Sequence, residues 1–223
     1  MIISHTHPLY KEHQKQMLKE SRYNGAYYYS CDIVKYIIPN VQTDRKWITV
    51  RIPELNEDLS HSIVFIHNNR NPNYYEYLKN YKDCIMVCSQ KHTADNLSFF
   101  GKTVVLPLSV NIDSVKKYYR ANKDRDIAFA GRRIKITNRV PATADILTDM
   151  PQTRLIQAMA HYKKIYAVGR TAIQAKILGC EIGMYDSMYP DPNVWKIIDC
   201  LDAAKMLQDI LNEIDGVKNE SNQ

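Results

Sequence analysis

The stretch Ile165–Asp186, IYAVGRTAIQAKILGCEIGMYD, decides how the rest of the chain reads. It opens on an apolar run, Ile165 to Val168, that fits a strand buried on both faces. A turn follows at Gly169-Arg170-Thr171, and Ile173, Ile177 and Leu178 share one face of the helix after it. Gly179 suits the left-handed residue that closes a helix, and Glu181 to Tyr185 reads as a second short strand. The unit is βαβ, with Gly, Arg and Thr where its helix begins. Main-chain N–H groups and the positive end of the helix dipole meet at such an entry. Arg170 adds a planar two-pronged donor, so the turn suits a phosphate. The alternative is an ordinary crossover in which Thr171 is only an N-cap.

Upstream, the same alternation repeats. Asp126 to Ala130 is a strand, and Gly131-Arg132-Arg133-Ile134-Lys135 is a cationic turn at its C-terminal end. Arg132, Arg133 and Lys135 read either as a diphosphate clamp, which the strand-end position favours, or as a solvated loop. Thr137 to Met150 shows no clear period and reads as irregular. Pro151 to Tyr162 is an amphipathic helix, Val194 to Asp199 is helical, and Ala203 to Ile214 is a closing helix.

The first half follows a similar plan. Met1 to His5 is a short strand, and Asn24-Gly25 opens a helix that runs to Pro39. Gly25 is therefore placed near a ligand-facing sheet edge, with a simple turn as the alternative. Strands follow at Trp47–Ile52, Ser62–Ile66, Cys84–Cys88 and Thr103–Leu106. Helices fall at Tyr74–Tyr81, Thr93–Phe100 and Asn111–Tyr119. This spacing predicts a doubly wound, mostly parallel α/β sheet. The buried strand Ser62–Ile66 ends in His67-Asn68-Asn69-Arg70, where open α/β folds place their chemistry. His67 is the candidate catalytic or substrate-orienting group, because imidazole both donates and accepts near neutral pH. A hydrogen-bonded structural histidine is the alternative.

The charged run Arg120–Arg125, RANKDR, marks the expected domain boundary, giving domains 1–120 and 121–217 with a disordered tail at 218–223. A net charge of +6 over 223 residues suits an anionic ligand or nucleic acid without requiring either. No apolar run is long enough for a bilayer, and the start lacks the pattern of a signal peptide. The five cysteines, Cys31, Cys84, Cys88, Cys180 and Cys200, sit mostly in apolar runs and show no metal spacing. That pattern predicts reduced core thiols and a cytoplasmic protein.

Taken in order, these pieces resemble a compact glycosyltransferase of the two-Rossmann, or GT-B, type, including the small glycosyltransferase-like proteins of phages and prophages. The resemblance rests on the first strand with its histidine-containing loop and Asn24-Gly25. It rests also on IVFIHN (Ile63–Asn68), on VCSQ (Val87–Gln90) with LPLSVNID (Leu106–Asp113), on IAFAGRR (Ile127–Arg133) and on GRTAIQAKILGCEI (Gly169–Ile182). It implies two small Rossmann-like domains facing across a cleft, and a metal-independent, retaining transfer from a nucleotide sugar, with a UDP-sugar the first donor to consider. Gly25, Arg132, Arg133, Lys135, Gly169, Arg170, Thr171 and Gln174 would bind the donor. His67 would orient the sugar, and His5, Asn68 and Asn69 would face the acceptor. Where the family's donor helix carries two glutamates eight positions apart, Tyr166 and Gln174 stand in this chain. The acceptor implied is a glycan, a protein or a modified base in phage DNA. Two other functions fit the sequence: a catalytically inactive nucleotide-sugar-binding module of the same fold, and a nucleic-acid-binding protein with no small-molecule site.

Overall fold

A computed structural model describes residues 1–4, 25–50, 58–67 and 72–216. The polar stretch Tyr10–Arg22, the acceptor-side candidates His5, Asn68 and Asn69, and the tail 218–223 lie outside the described residues. The chain is α/β and forms two compact units, each built on one sheet in which every strand pairing is parallel. Among the described residues, no helix is long and apolar enough to cross a membrane.

The first unit contains β1 (Ile2–Ile3), β2 (Lys46–Ile48), β3 (Ser62–Phe65), β4 (Cys84–Cys88) and β5 (Lys102–Val105), side by side in that order. SIVF and CIMVC are buried at every position, as expected of central parallel strands covered on both faces. Ile3, Ile48, Val64, Met86 and Cys88 line one face and pack on Tyr75 and Leu78 of the 3-10 helix Pro72–Asn80. Ala94 and Leu97 of α2 (Lys91–Leu97) join the same cluster. Trp47 and Phe65 stack at 6.3 Å on the opposite face. There α1 (Gly25–Asp32) and its π-helical continuation Ile33–Ile37 approach, with Ser30 Oγ 2.8 Å from Thr49 Oγ1. The strand order never reverses, so the switch point of a doubly wound sheet, expected from the sequence, is absent from this sheet.

The second unit holds β6 (Arg125–Ala130), β7 (Asp145–Leu147), β8 (Tyr162–Tyr166) and β9 (Glu181–Gly183) in the order β7-β6-β8-β9. Its helices are α3 (Ile112–Lys116), α4 (Gln152–Met159) and α5 (Arg170–Ile177). Ala128, Ala130, Ile156, Met159, Ile165 and Ile173 belong to its fully apolar core. Here the order does reverse: the chain steps from β6 to β7 on one side and returns to β8 on the other. Strand β7 lies inside the segment that reads as irregular. The helix expected at Val194–Asp199 is only a 3-10 turn at Pro192–Val194, because the chain there instead pairs in extended form, with the Val110 N–H donating to the Ile198 carbonyl at 3.1 Å.

The contacts divide the chain at Pro107/Leu108 rather than in the charged run at 120–125, and they group residues 25–29 of α1 with the second unit. Val110 and Val115 are buried in the second unit's core, which carries Leu108–Tyr119 with it. The closing helix α6 (Cys200–Asp215) belongs to the first unit, where it packs on Ile33–Asn40. Gln208 holds it there, its Oε1 accepting from the Gln42 N–H at 2.6 Å and its Nε2 donating to the Gln42 carbonyl at 3.3 Å. Cys84, Cys88, Cys180 and Cys200 are buried, and burial pushes the Cys88 thiol up to about 12, so it behaves as core packing.

At the strand starts of the first unit, His61 lies between two carboxylates, Nδ1 2.6 Å from Asp83 and Nε2 2.8 Å from Asp44. A neutral imidazole carries one N–H and satisfies one of them, so both contacts need the imidazolium. The hydrogen bonds it donates to Asp83 and Asp44 accordingly hold the His61 pKa above its ordinary value, against burial and the nearby Arg45. A raised pKa in the folded state means stability that is complete below the ordinary histidine value and is lost as pH rises through the folded one. Urea denaturation should therefore show the first unit weakening from about pH 6.5 upward. His61→Asn should flatten that slope, and an unchanged slope would assign it to other groups.

Candidate functional site

Reversal of strand order opens a crevice outside the carboxyl ends of the two strands on either side of it, the place where open α/β sheets bind ligands. In the second unit those strands are β6 and β8, paired with Phe129 opposite Tyr166. The chain leaves β6 through Gly131-Arg132-Arg133 and leaves β8 through Ala167-Val168-Gly169-Arg170. Arg132, Arg133 and Lys135 thus follow the same sheet edge as Gly169 and Arg170, with Thr171 and Gln174 further along α5. Arg133–Lys135 is a single 3-10 turn closed by main-chain hydrogen bonds from Lys135 to Arg132 (2.9 Å) and from Ile136 to Arg133 (3.1 Å).

Helix α5 starts differently from the sequence alternative in which Thr171 caps it. Gly169 is the capping residue, with φ 64° and ψ −139°, a region essentially open only to glycine. Gly169 offers the first turn no capping side chain, and no acidic residue lies in that turn, so nothing of the helix's own neutralises its positive end. At the other end Gly179, with φ 76°, closes the helix as expected. Its N–H reaches the Lys176 carbonyl and that of Cys180 the Ala175 carbonyl, each at 2.9 Å, the paired bonds of a Schellman cap.

The hydrogen-bond pattern sets the Gln152 amide with its oxygen toward α5. There it accepts from Arg170 Nη1 (3.1 Å), Arg170 Nη2 (3.2 Å) and Gln174 Nε2 (2.6 Å). Gln174 is buried at 3% exposure, so it braces the entry of α5 against that of α4. The Gln152 N–H in turn donates to Tyr28 Oη at 3.0 Å, one turn along α1 from Gly25. Gly25 therefore sits on the helix that touches the start of α4, with open space where a Cβ would stand. The Gln152 link was not legible in the sequence, since glutamine at a helix start carries no distinctive signal.

Charges are sorted between the two edges of this sheet. At the N-terminal edge, Arg125 faces Asp145 (3.5 Å), Lys163 faces Asp126 (2.7 Å), Lys164 faces Glu181 (2.5 Å) and His161 faces Asp124 (2.9 Å). Lys123 Nζ donates to the carbonyls of Ala160 (3.0 Å) and Leu178 (2.5 Å), at the negative ends of α4 and α5. At the C-terminal edge, Arg132, Arg133 and Arg154 of the first turn of α4 are all exposed, and none has a carboxylate partner among the described residues. Guanidinium groups with no carboxylate partner among the described residues, at a switch point beside a glycine-capped helix start, suit a multiply charged anion.

His67 belongs to the first unit, just past the end of β3. Its Nε2 contacts the Thr49 carbonyl and must carry the proton, and its main-chain N–H donates to Tyr75 Oη at 3.2 Å. Burial pushes the imidazole below its ordinary pKa, outweighing the Thr49 carbonyl, so it is neutral at pH 7 with its lone pair on Nδ1. Among the described residues, no group of three or more His, Cys, Asp or Glu side chains is arranged to hold a metal ion. The chain matches no protein-family model and no curated protein.

Proposed function

We propose that this protein is a nucleotide-sugar-dependent glycosyltransferase whose donor diphosphate is held at the C-terminal edge of the second sheet. The observation that supports it best is the group of cations Arg132, Arg133 and Arg154, without a carboxylate partner among the described residues, at the same edge as the glycine-capped start of α5. In this reading the first-turn N–H groups of α5 and the two arginines after β6 cradle the diphosphate. They stabilise the charge that builds on it as the sugar C1–O bond breaks, with no metal required. His67 orients the sugar or the acceptor through Nδ1, and a UDP-sugar is the first donor to test. The acceptor is a hydroxyl group on a glycan, a protein or, following the phage-like resemblance, a modified base in DNA, and the reaction belongs in the cytoplasm.

One arrangement favours the second reading, a nucleotide-sugar-binding module without turnover. Gln174 and Arg170 are joined through Gln152, and an amide stands where the related helices carry a carboxylate. Thermal denaturation against UDP, GDP, ADP and their sugars tests both. A ligand at about a hundred times its Kd should raise Tm by about 5 °C or more. The Arg132→Ala/Arg133→Ala double variant should lose that shift. Donor hydrolysis that disappears in His67→Ala identifies the enzyme, and binding without hydrolysis identifies the module. If no nucleotide shifts Tm, both readings fall.

A further inference from the structure

We propose that Asp149 is a ribose ligand, its carboxylate accepting from the vicinal hydroxyls of a ribonucleotide bound at the switch point. The inference rests on the nucleotide reading above and narrows it to ribonucleotides. Strand β7 lies beside β6, with Leu147 opposite Ala130. Two residues past each of these stand Asp149 and Arg132, and β8 on the far side leads to Gly169 in the same register. Asp149, Arg132 and Gly169 therefore end three adjacent strands at one level of the sheet edge.

This is the geometry in which a nucleotide lies across a doubly wound sheet. In such sheets the nucleotide lies in the crevice where the strand order reverses, its phosphates at a helix N-terminus and its ribose hydroxyls on an acidic residue further along the chain. Asp149 has two further properties that suit the role. Its side chain is exposed, and Thr148 Oγ1, at 3.4 Å, is its one hydrogen-bond partner among the described residues. Its backbone is left-handed, φ 56°, which is uncommon outside glycine, asparagine and aspartate and re-aims the side chain where the strand ends. The other carboxylates of this sheet's strands, Asp126, Asp145 and Glu181, are spent on cations at the opposite edge. Neither Arg132 nor Arg133 takes up the Asp149 carboxylate.

Calorimetric titration of UDP, GDP, ADP, their 2′-deoxy and 3′-deoxy forms, and inorganic pyrophosphate tests the assignment. The native protein should bind its preferred ribonucleotide about ten to a hundred times more tightly than the deoxy forms, the value of a charge-assisted hydrogen bond. Asp149→Asn keeps the left-handed backbone and Asp149→Gly relaxes it, so at least one variant folds. Either should bind ribo and deoxy forms alike while retaining the affinity for pyrophosphate. A native protein without ribose preference, or a folded variant that keeps it, overturns the role of Asp149 and leaves the anion site standing. Absence of any binding, pyrophosphate included, overturns the site and the ribose assignment together.

Discussion

Replacing Arg45 with methionine should lower the stability of the first unit by about 2–3 kcal/mol, the low end of what breaking a buried ion pair costs, since its partners are half exposed. The Arg45 side chain is 3% exposed and contacts Asp83 at 2.9 Å and Asp215 at 2.7 Å, while its Nη1 also donates to the Asp83 carbonyl at 3.0 Å. Asp215 outlasts the substitution without its cation, and Asp83 keeps only the His61 imidazolium. The apolar stem of methionine fills most of the space, so the loss is mainly electrostatic and not a cavity. Urea titration should show a lower midpoint at unchanged m-value. Asp215→Asn should cost less, because Asp83 still pairs with Arg45. A loss below about 0.5 kcal/mol for Arg45→Met, the range of ordinary surface changes, would mean the tie adds nothing.

The second large effect belongs to Gly169→Ala. A Cβ there meets Leu108 Cδ1 at an ordinary 3.8 Å, so the cost is backbone strain and not collision. Forcing φ 64°, ψ −139° on alanine costs about 1–3 kcal/mol, and the chain relieves it by shifting the first turn of α5. The variant should therefore be less stable and should also lose the nucleotide-induced rise in Tm. Gly179→Ala is the control, with a positive φ and a Cβ 2.9 Å from the Tyr119 ring. It should destabilise at least as much and keep the ligand response, because it lies at the opposite end of the same helix. Equal loss of response in both variants would make the effect one of general stability and remove Gly169 from the site.

The elements that the sequence revealed are those whose burial leaves a mark in composition. Cys84–Cys88 and Ser62–Phe65 are apolar throughout because both faces are covered. Gly179 ended α5 where its left-handed backbone demanded. Strand β8 was read three residues late, from Ile165, because Lys163 and Lys164 look like surface. In the fold they are strand residues whose amines reach Asp126 and Glu181 on the flanking strands. Strand β7 escaped notice because only Leu147 of its three residues is buried. The placement of Arg132 and Gly169 at one edge was legible, since both follow apolar strands. Asp149 was not, because its meaning comes from the neighbour that β7 acquires, a long-range fact. The sequential order of the first sheet was illegible for the same reason: spacing predicts strands and crossovers, whereas pairing partners are chosen across the whole unit.

The division of the chain has a consequence for biosynthesis. The main part of the first unit, Ser30–Pro107, is completed only by the segment that begins at Cys200. As the polypeptide leaves the ribosome, the second unit has all its residues once Asp199 has emerged, whereas Arg45 waits for Asp215 until another turn-by-turn stretch of translation is finished. The half begun first is thus completed last, and a nascent chain halted before α6 would expose Ile33 and Ile37 to chaperones and proteases while its second unit was already whole.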